Sequence, residues 1–75
     1  MKLKEKRQAA GLSQSQLAEK SGINVRTIQH YEQGSKIFDH AHIDTILKIC
    51  IALNCKLEDV IDSPEYIKLI KKLPN

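Results

Sequence analysis

Apolar residues recur along this 75-residue chain at the three- and four-residue spacing of α-helices. The pattern predicts five or six helices and no strands. Three polar residues stand where helices would begin, because their side chains can accept hydrogen bonds from free backbone N–H groups: Ser13, Asn24 and Ser63. Glycines stand where the first three helices would end, at positions 11, 22 and 34.

The first three helices are predicted over residues 2–10, 14–21 and 25–33. Gly22 would make the sharp turn between the second and the third, because glycine adopts a left-handed backbone conformation without steric cost. The longest loop is expected to follow at residues 35–41. This half of the chain is therefore predicted to be three short helices with tight connections.

The second half of the chain is more apolar. A fourth helix, over residues 42–53, is expected to bury one broad stripe made of Ile43, Ile46, Leu47, Cys50 and Ile51. A short fifth helix is expected to carry Leu57, Val60 and Ile61. The sequence Ser63-Pro64-Glu65 then predicts a last helix, because it supplies an N-cap, a proline at the first helical position and an acid in the first turn.

The last helix is predicted to be amphipathic. Its apolar stripe, Tyr66, Ile67, Ile70 and Leu73, lies opposite the lysines at 68, 71 and 72. Two interpretations remain open for this stripe. It either closes the core of its own domain or meets a second copy of the chain.

Composition and cysteine usage limit the class of protein. A chain of this length forms one small domain, with no room for a cleft between lobes. Cys50 and Cys55 lie in an apolar helical run, which indicates reduced thiols and not a disulfide framework. No signal-peptide h-region follows the basic N-terminus, and no stretch approaches the roughly 18 apolar residues of a membrane span. A soluble, cytoplasmic protein is predicted.

Catalytic chemistry is not indicated. The sequence offers no nucleophile–base pair and no glycine loop for phosphate, so neither an enzyme nor a cofactor is predicted. Asp39, His40 and His42 are the nearest approach to a metal site. They lack a fourth ligand, and they are interpreted as exposed loop residues.

Charge is unevenly distributed along the chain, although the net charge is only +3. Residues 1–36 hold seven Lys or Arg against three Glu, whereas residues 37–63 hold two Lys against five acids. A basic N-terminal segment beside an acidic central segment suggests a face that binds an anion.

Residues 14–34 carry the combined spacing of a helix-turn-helix. Counting from Gln14, the fifth position is Ala18, where a small residue lets two helices cross closely. The ninth is Gly22, which makes the turn. Apolar residues that would face the core occupy positions ten, fifteen and eighteen: Ile23, Ile28 and Tyr31.

The opposite face of the third helix is polar, and it suits the major groove of DNA. The candidate base-reading residues are Val25, Arg26, Gln29 and His30. Arginine can bond guanine O6 and N7, glutamine can read adenine, and valine can contact a thymine methyl group. Four further residues are candidates for phosphate contacts, together with the free N–H groups of the helix N-termini: Gln14, Asn24, Thr27 and Lys36.

With these residues the chain resembles the XRE-type helix-turn-helix family, the lambda-repressor-like domains of phage repressors and Cro proteins. The matching stretches are LSQSQLAEKSGINVRTIQHYEQG and IDTILKICIALNCKLEDVI, and the resemblance covers residues 3–61. It implies an all-α bundle of five helices whose third helix reads an operator. Residues 1–62 would form this domain, and residues 63–75 a short extra helix for packing or dimerisation.

The resemblance also assigns individual roles. The base-reading positions of the family fall on Val25, Arg26, Gln29 and His30, and its phosphate-binding glutamine, which braces the reading helix, falls on Gln14. The family often pairs an arginine of helix one with a glutamate near the end of helix three. Here these are Arg7 and Glu32, expected to form a structural ion pair. The loop SKIFDHAH departs from the family pattern, since it lacks the usual proline and has Lys36 as its cation.

The predicted function is sequence-specific binding of double-stranded DNA by a transcriptional regulator, a repressor in preference to an activator. A homodimer on a palindromic operator is expected. One alternative is an antitoxin-like regulator that also binds a partner protein. Another is an interaction module that has lost DNA binding, but its outer face should then be acidic, and Arg26 and Gln29 argue against it.

Overall fold

The computed structural model describes residues 1–74, and this part of the chain is helical without strands. Its helices are α1 (Lys2–Ala9), α2 (Gln14–Ser21), α3 (Val25–Gln33), α4 (Ile43–Leu53) and α5 (Pro64–Lys71). Single 3-10 turns lie at Phe38–His40 and Leu57–Asp59. The predicted all-α, lambda-repressor-like fold is confirmed. Residue 75, the end of the predicted C-terminal segment, lies outside the described part.

The predicted N-caps are confirmed by their hydrogen bonds. Ser13 Oγ accepts from the Gln16 N–H at 3.0 Å, and Gln16 Oε1 accepts from the Ser13 N–H at 2.8 Å, which makes a reciprocal capping box. Ser63 Oγ accepts from the Tyr66 N–H at 3.3 Å. These bonds satisfy first-turn donors that would otherwise lack partners, so the sequence fixes where α2 and α5 begin.

The core draws one or two buried residues from each of α1, α2 and α3, and four from α4. Its fully buried side chains are Leu3, Leu17, Ile28, Ile49 and Val60. At one edge, the rings of Tyr31 and Phe38 meet edge to face with centroids 5.2 Å apart. Because α2 packs against both α3 and α4, it holds the third helix against the rest of the bundle.

The predicted buried stripe of α4 is partly wrong. Ile46 and Cys50 are buried, but three members of the stripe are exposed: Ile43, Leu47 and Ile51, at 63%, 43% and 78%. Ile49 and Ala52 are buried in their place. Apolar residues occupy most of the circumference of α4, so helical spacing fits two overlapping stripes equally well. Packing against α2 selects the stripe that is buried.

The predicted fifth helix is also wrong in detail, because the segment forms only the 3-10 turn Leu57–Asp59. Val60 and Ile61 are nevertheless buried, as the pattern required. The carboxylate of Asp39 accepts hydrogen bonds from the backbone N–H groups of Asp62 and Ser63, at 3.0 and 2.8 Å. These bonds hold the chain extended just after the turn, which leaves no length for a helix before α5.

The C-terminal helix packs on its own domain. Tyr66, Ile67 and Ile70 are half-buried against the core, whereas Leu73 remains 62% exposed. Three of the four stripe residues therefore cover the core, and the fourth does not. No helix within residues 1–74 has both the length and the apolar character needed to cross a bilayer.

Both cysteines are free thiols. Burial raises the pKa of the Cys50 thiol to about 12, with the neighbouring Cys55 adding to the effect. A thiol with so high a pKa holds almost no thiolate at neutral pH, so Cys50 behaves as a small core hydrophobe.

Candidate nucleic-acid interface

The third helix has one buried face and one open face. Ile28 and Tyr31 point into the core, with exposures of 0% and 8%. On the opposite side Arg26 is exposed, and three neighbours are half-exposed: Val25, Gln29 and His30. All four predicted base-reading residues thus lie on the accessible side of α3, and Asn24 and Arg26 at its N-terminal end are exposed.

The start of α3 is held by Asn24. Its side-chain Oδ1 accepts a hydrogen bond from the Arg26 N–H at 2.8 Å. The backbone of Arg26 is thereby fixed while its guanidinium group extends into solvent. Because the cap already holds the backbone, less backbone freedom would be lost if this side chain bound a ligand.

Sequence reasoning missed a contact that orients His30. Ser35 Oγ donates a hydrogen bond to the His30 carbonyl oxygen at 3.2 Å, and the same Oγ lies 3.0 Å from His30 Nδ1. The hydroxyl of Ser35 therefore contacts both the backbone and the ring of His30, and the donor in the Nδ1 contact is set by the imidazole tautomer. No local signal in the sequence distinguishes Ser35 from an ordinary loop serine.

A buried ion pair ties α1 to the end of α3. Arg7 Nε and Nη2 donate to the two carboxylate oxygens of Glu32 at 2.7 and 2.8 Å. Arg7 Nη1 donates to the carbonyl oxygen of Leu12 at 2.7 Å. Gln14 Nε2 adds a bond to Glu32 Oε1 at 3.1 Å. One carboxylate therefore joins α1, the start of α2 and the end of α3.

The charges of this pair stabilise each other. Hydrogen bonding to Glu32 raises the pKa of Arg7 above its ordinary value, against an opposing effect of burial. Burial alone would raise the pKa of Glu32. Hydrogen bonds from Arg7 and Gln14 outweigh this effect, together with the positive charges of Arg7 and Lys4, so the pKa of Glu32 lies below its usual value. Both groups are ionised at neutral pH.

The predicted phosphate-contacting residues surround the open face of α3. Gln14 begins α2, Asn24 and Thr27 lie at the start of α3, and Lys36 follows its end. The Lys36 N–H donates to the His30 carbonyl oxygen at 3.2 Å, which brings Lys36 back beside the last turn of the helix. Gln14 has its amide committed to Glu32 through one hydrogen, and a second N–H hydrogen remains for a phosphate oxygen.

The loop 35–41 has a structural role that the sequence did not indicate. Asp39, considered above as part of a weak metal motif, instead accepts the two backbone bonds that join this loop to residues 62 and 63. No group of three metal-ligating side chains occurs among residues 1–74.

Two short capped helices, joined by a glycine turn, present the polar face of the second helix to solvent. This arrangement defines the helix-turn-helix class of DNA-binding domain. The chain belongs to the XRE-type helix-turn-helix family, whose family model matches residues 3–60. The family consists of DNA-binding transcription regulators and is generally non-enzymatic. Searches of curated proteins and of solved structures found no match.

Proposed function

We propose that this protein binds a specific sequence of double-stranded DNA by inserting the outer face of α3 into the major groove. The observation that carries the proposal is the exposed guanidinium of Arg26 on a capped and braced helix N-terminus. Bidentate bonding of arginine to guanine is the commonest specific contact in the major groove. In this proposal Arg26 reads one guanine.

The neighbouring side chains extend the reading face. Gln29 would bond an adenine and Val25 would contact a thymine methyl group. His30, whose ring is positioned by its contact with Ser35, would bond the polar edge of a base through Nε2. Four polar groups would bond phosphates and set the depth of the helix without reading sequence: Gln14, Asn24, Thr27 and Lys36.

Two copies would act together on DNA. A single small module covers only about 600–1,000 Å² of surface, which is too little for the affinity of a typical operator complex. A homodimer on a palindromic operator, with half-sites about 34–36 Å apart, doubles the contacts. Bound at a promoter, such a dimer would exclude polymerase, and we therefore propose repression and not activation.

Selection from a random oligonucleotide pool tests the proposal. The expected result is a palindrome whose half-sites contain guanine. Against that site, Arg26→Ala should lose about 1–3 kcal/mol of specific binding and relax the preference at one base pair. Lys68→Ala is the matched control, because it removes one exposed positive charge from α5, a helix outside the helix-turn-helix.

The two variants separate reading from simple electrostatic attraction. Lys68→Ala should leave the ratio of specific to non-specific affinity unchanged. If Arg26→Ala also leaves that ratio unchanged in titrations at one salt concentration, Arg26 does not read a base. If no sequence is enriched from the pool, the proposal of specific binding fails.

A further inference from the structure

The C-terminal end of α4 is closed by a Schellman motif. Asn54, just past the helix, has a left-handed backbone with a φ of 50°. Its N–H donates to the carbonyl oxygen of Ile51 at 3.2 Å, and the N–H of Cys55 donates to the carbonyl oxygen of Cys50 at 3.0 Å. These two bonds fold the chain back onto the last turn of the helix. Cys50 and Cys55 thus occupy the two positions of the motif whose side chains frequently touch.

The two thiols interact directly. Burial raises the pKa of both, but their contact acts in opposite directions on the two, raising the pKa of Cys50 and opposing the rise in the pKa of Cys55. The contact therefore favours a thiolate on Cys55, with the S–H of Cys50 as its hydrogen-bond donor.

A surface pocket of about 370 Å³ opens beside the pair. Both cysteines line it, together with Leu47, Ile51 and Leu57. Cys50 is 7% exposed and belongs to the core, whereas Cys55 is half-buried. A small neutral reagent that enters the pocket therefore meets Cys55 as the more accessible sulfur.

We propose that Cys50 and Cys55 form a reversible thiol–disulfide site, which a low-molecular-weight disulfide oxidises to a bond across the end of α4. The Cys55 thiolate attacks one sulfur of the reagent RSSR, which releases RS⁻ and leaves a mixed disulfide on Cys55. The Cys50 sulfur then loses its proton, attacks Cys55 Sγ and releases the second RS⁻. The chain gives up two electrons and two protons, and the reagent becomes two molecules of RSH.

Metal binding is the other chemistry that a pair of thiols offers. A structural zinc site takes four ligands, and within residues 1–74 no three His, Cys, Asp or Glu side chains are grouped to hold a metal. A disulfide needs only the two sulfurs that the motif brings together. Oxidation is therefore the chemistry that this pair supports.

The rate of oxidation should depend on pH through Cys55. Burial raises its pKa and the charge of Asp59 adds to the rise, while the Cys50 S–H and the positive charge of Lys6 oppose it. Only the thiolate attacks a disulfide, so the reaction should be slow at neutral pH and should quicken about tenfold for each pH unit below that pKa.

Equilibrium with a redox buffer of β-mercaptoethanol and its disulfide tests the inference. Acid quenching, alkylation and mass spectrometry of the full chain separate reduced, mixed-disulfide and internally bonded molecules. Because the fold already holds the thiols together, the equilibrium constant for the internal disulfide should be about tenfold larger in the folded chain than in concentrated urea. Cys50→Ala should stop at the mixed disulfide on Cys55.

A shifted pair of thiols is the matched control. The double variant Cys55→Ala/Lys56→Cys keeps nearly the same spacing along the unfolded chain, but it moves the second thiol out of the Schellman motif to an exposed position. Its equilibrium constant should show no gain on folding. Circular dichroism should show native helicity in this variant and in Cys50→Ala.

Two results would overturn the inference. One is an equilibrium constant in the folded wild type that is no larger than in urea, which would make the contact between the thiols one of packing alone. The other is an equal gain on folding in the shifted variant. Neither result bears on DNA reading, because the test involves no DNA and the pair lies outside α2 and α3.

Discussion

Arg7 of α1 donates two hydrogen bonds to the carboxylate of Glu32 near the end of α3, at 2.7 and 2.8 Å. Neither side chain lies on the outer face of α3. Their bond nevertheless sets the direction in which that face points, because α3 is joined to α1 by this pair and to α2 by the Gln14 amide. The geometry of the proposed reading surface thus depends on residues that do not touch DNA.

Removing one member of this pair should be costly. Arg7→Met or Glu32→Leu leaves the other charge buried without its partner, and each should lower the free energy of unfolding by about 3 kcal/mol. The double variant should lose much less than the sum, since no uncompensated charge remains. Urea unfolding of all four chains measures this coupling, and simple additivity of the two losses would contradict it.

The Glu32 carboxylate should also make stability depend on pH. Its pKa is lowered in the folded chain, so the unfolded chain takes up the proton first as the pH falls. The contribution of Glu32 to the free energy of unfolding is complete above the ordinary glutamate pKa of about 4.3. It is lost as the pH falls through the lower pKa that Glu32 has in the folded chain. The stability difference between the wild type and Glu32→Gln should therefore shrink in acid.

Urea unfolding between neutral pH and pH about 2 follows that difference. The control is Glu19→Gln, which removes an exposed carboxylate of α2. The free energy of unfolding of this variant should fall in acid as much as that of the wild type. A gap between wild type and Glu32→Gln that stays constant down to the lowest pH would refute the assignment.

Lys36 should contribute to DNA affinity through charge alone. Lys36→Gln should weaken binding to all sequences alike and reduce the slope of log affinity against log salt by about one unit, because one fewer counterion is released. Titrations from low to high salt give this slope. Lys68→Gln, an equal change of charge on α5, should leave the slope near its wild-type value, and an equal drop in both variants would refute a local phosphate contact.

Ser35 should affect base preference through His30. Ser35→Ala removes the group that fixes the imidazole ring, so discrimination at one base pair should fall by about 1 kcal/mol. The effect should vanish when His30 is already alanine, and competition titrations with single-base variants of the selected site measure both. If Ser35→Ala lowers the discrimination at that base pair equally with and without the His30 side chain, the serine does not act through His30.

Features that depend on near neighbours could be predicted from the sequence. Ser13, Asn24 and Ser63 each bond a backbone N–H two or three residues away. Their capping therefore depends only on residues that are close in the sequence. The buried face of α3 was equally clear, because Ile28 and Tyr31 mark one side of an otherwise polar helix. The roles assigned to the residues on its other face stay predictions.

Features that depend on distant neighbours required the folded chain. Asp39 bonds the backbone 23 and 24 residues further along, and it thereby replaces a predicted helix with a 3-10 turn. The exposed side of α4 was predicted wrongly, since apolar residues occupy most of its circumference and only packing chooses between the overlapping stripes.

The sequence by itself determined where the helices begin and which side of α3 is polar, because both follow from residues one or two turns apart. Only the tertiary structure decided which isoleucines of α4 are buried. Burial of a nearly uniform apolar helix is set by the elements that pack on it, and here α2 packs on α4, Ile49 is buried and Ile51 stays in solvent.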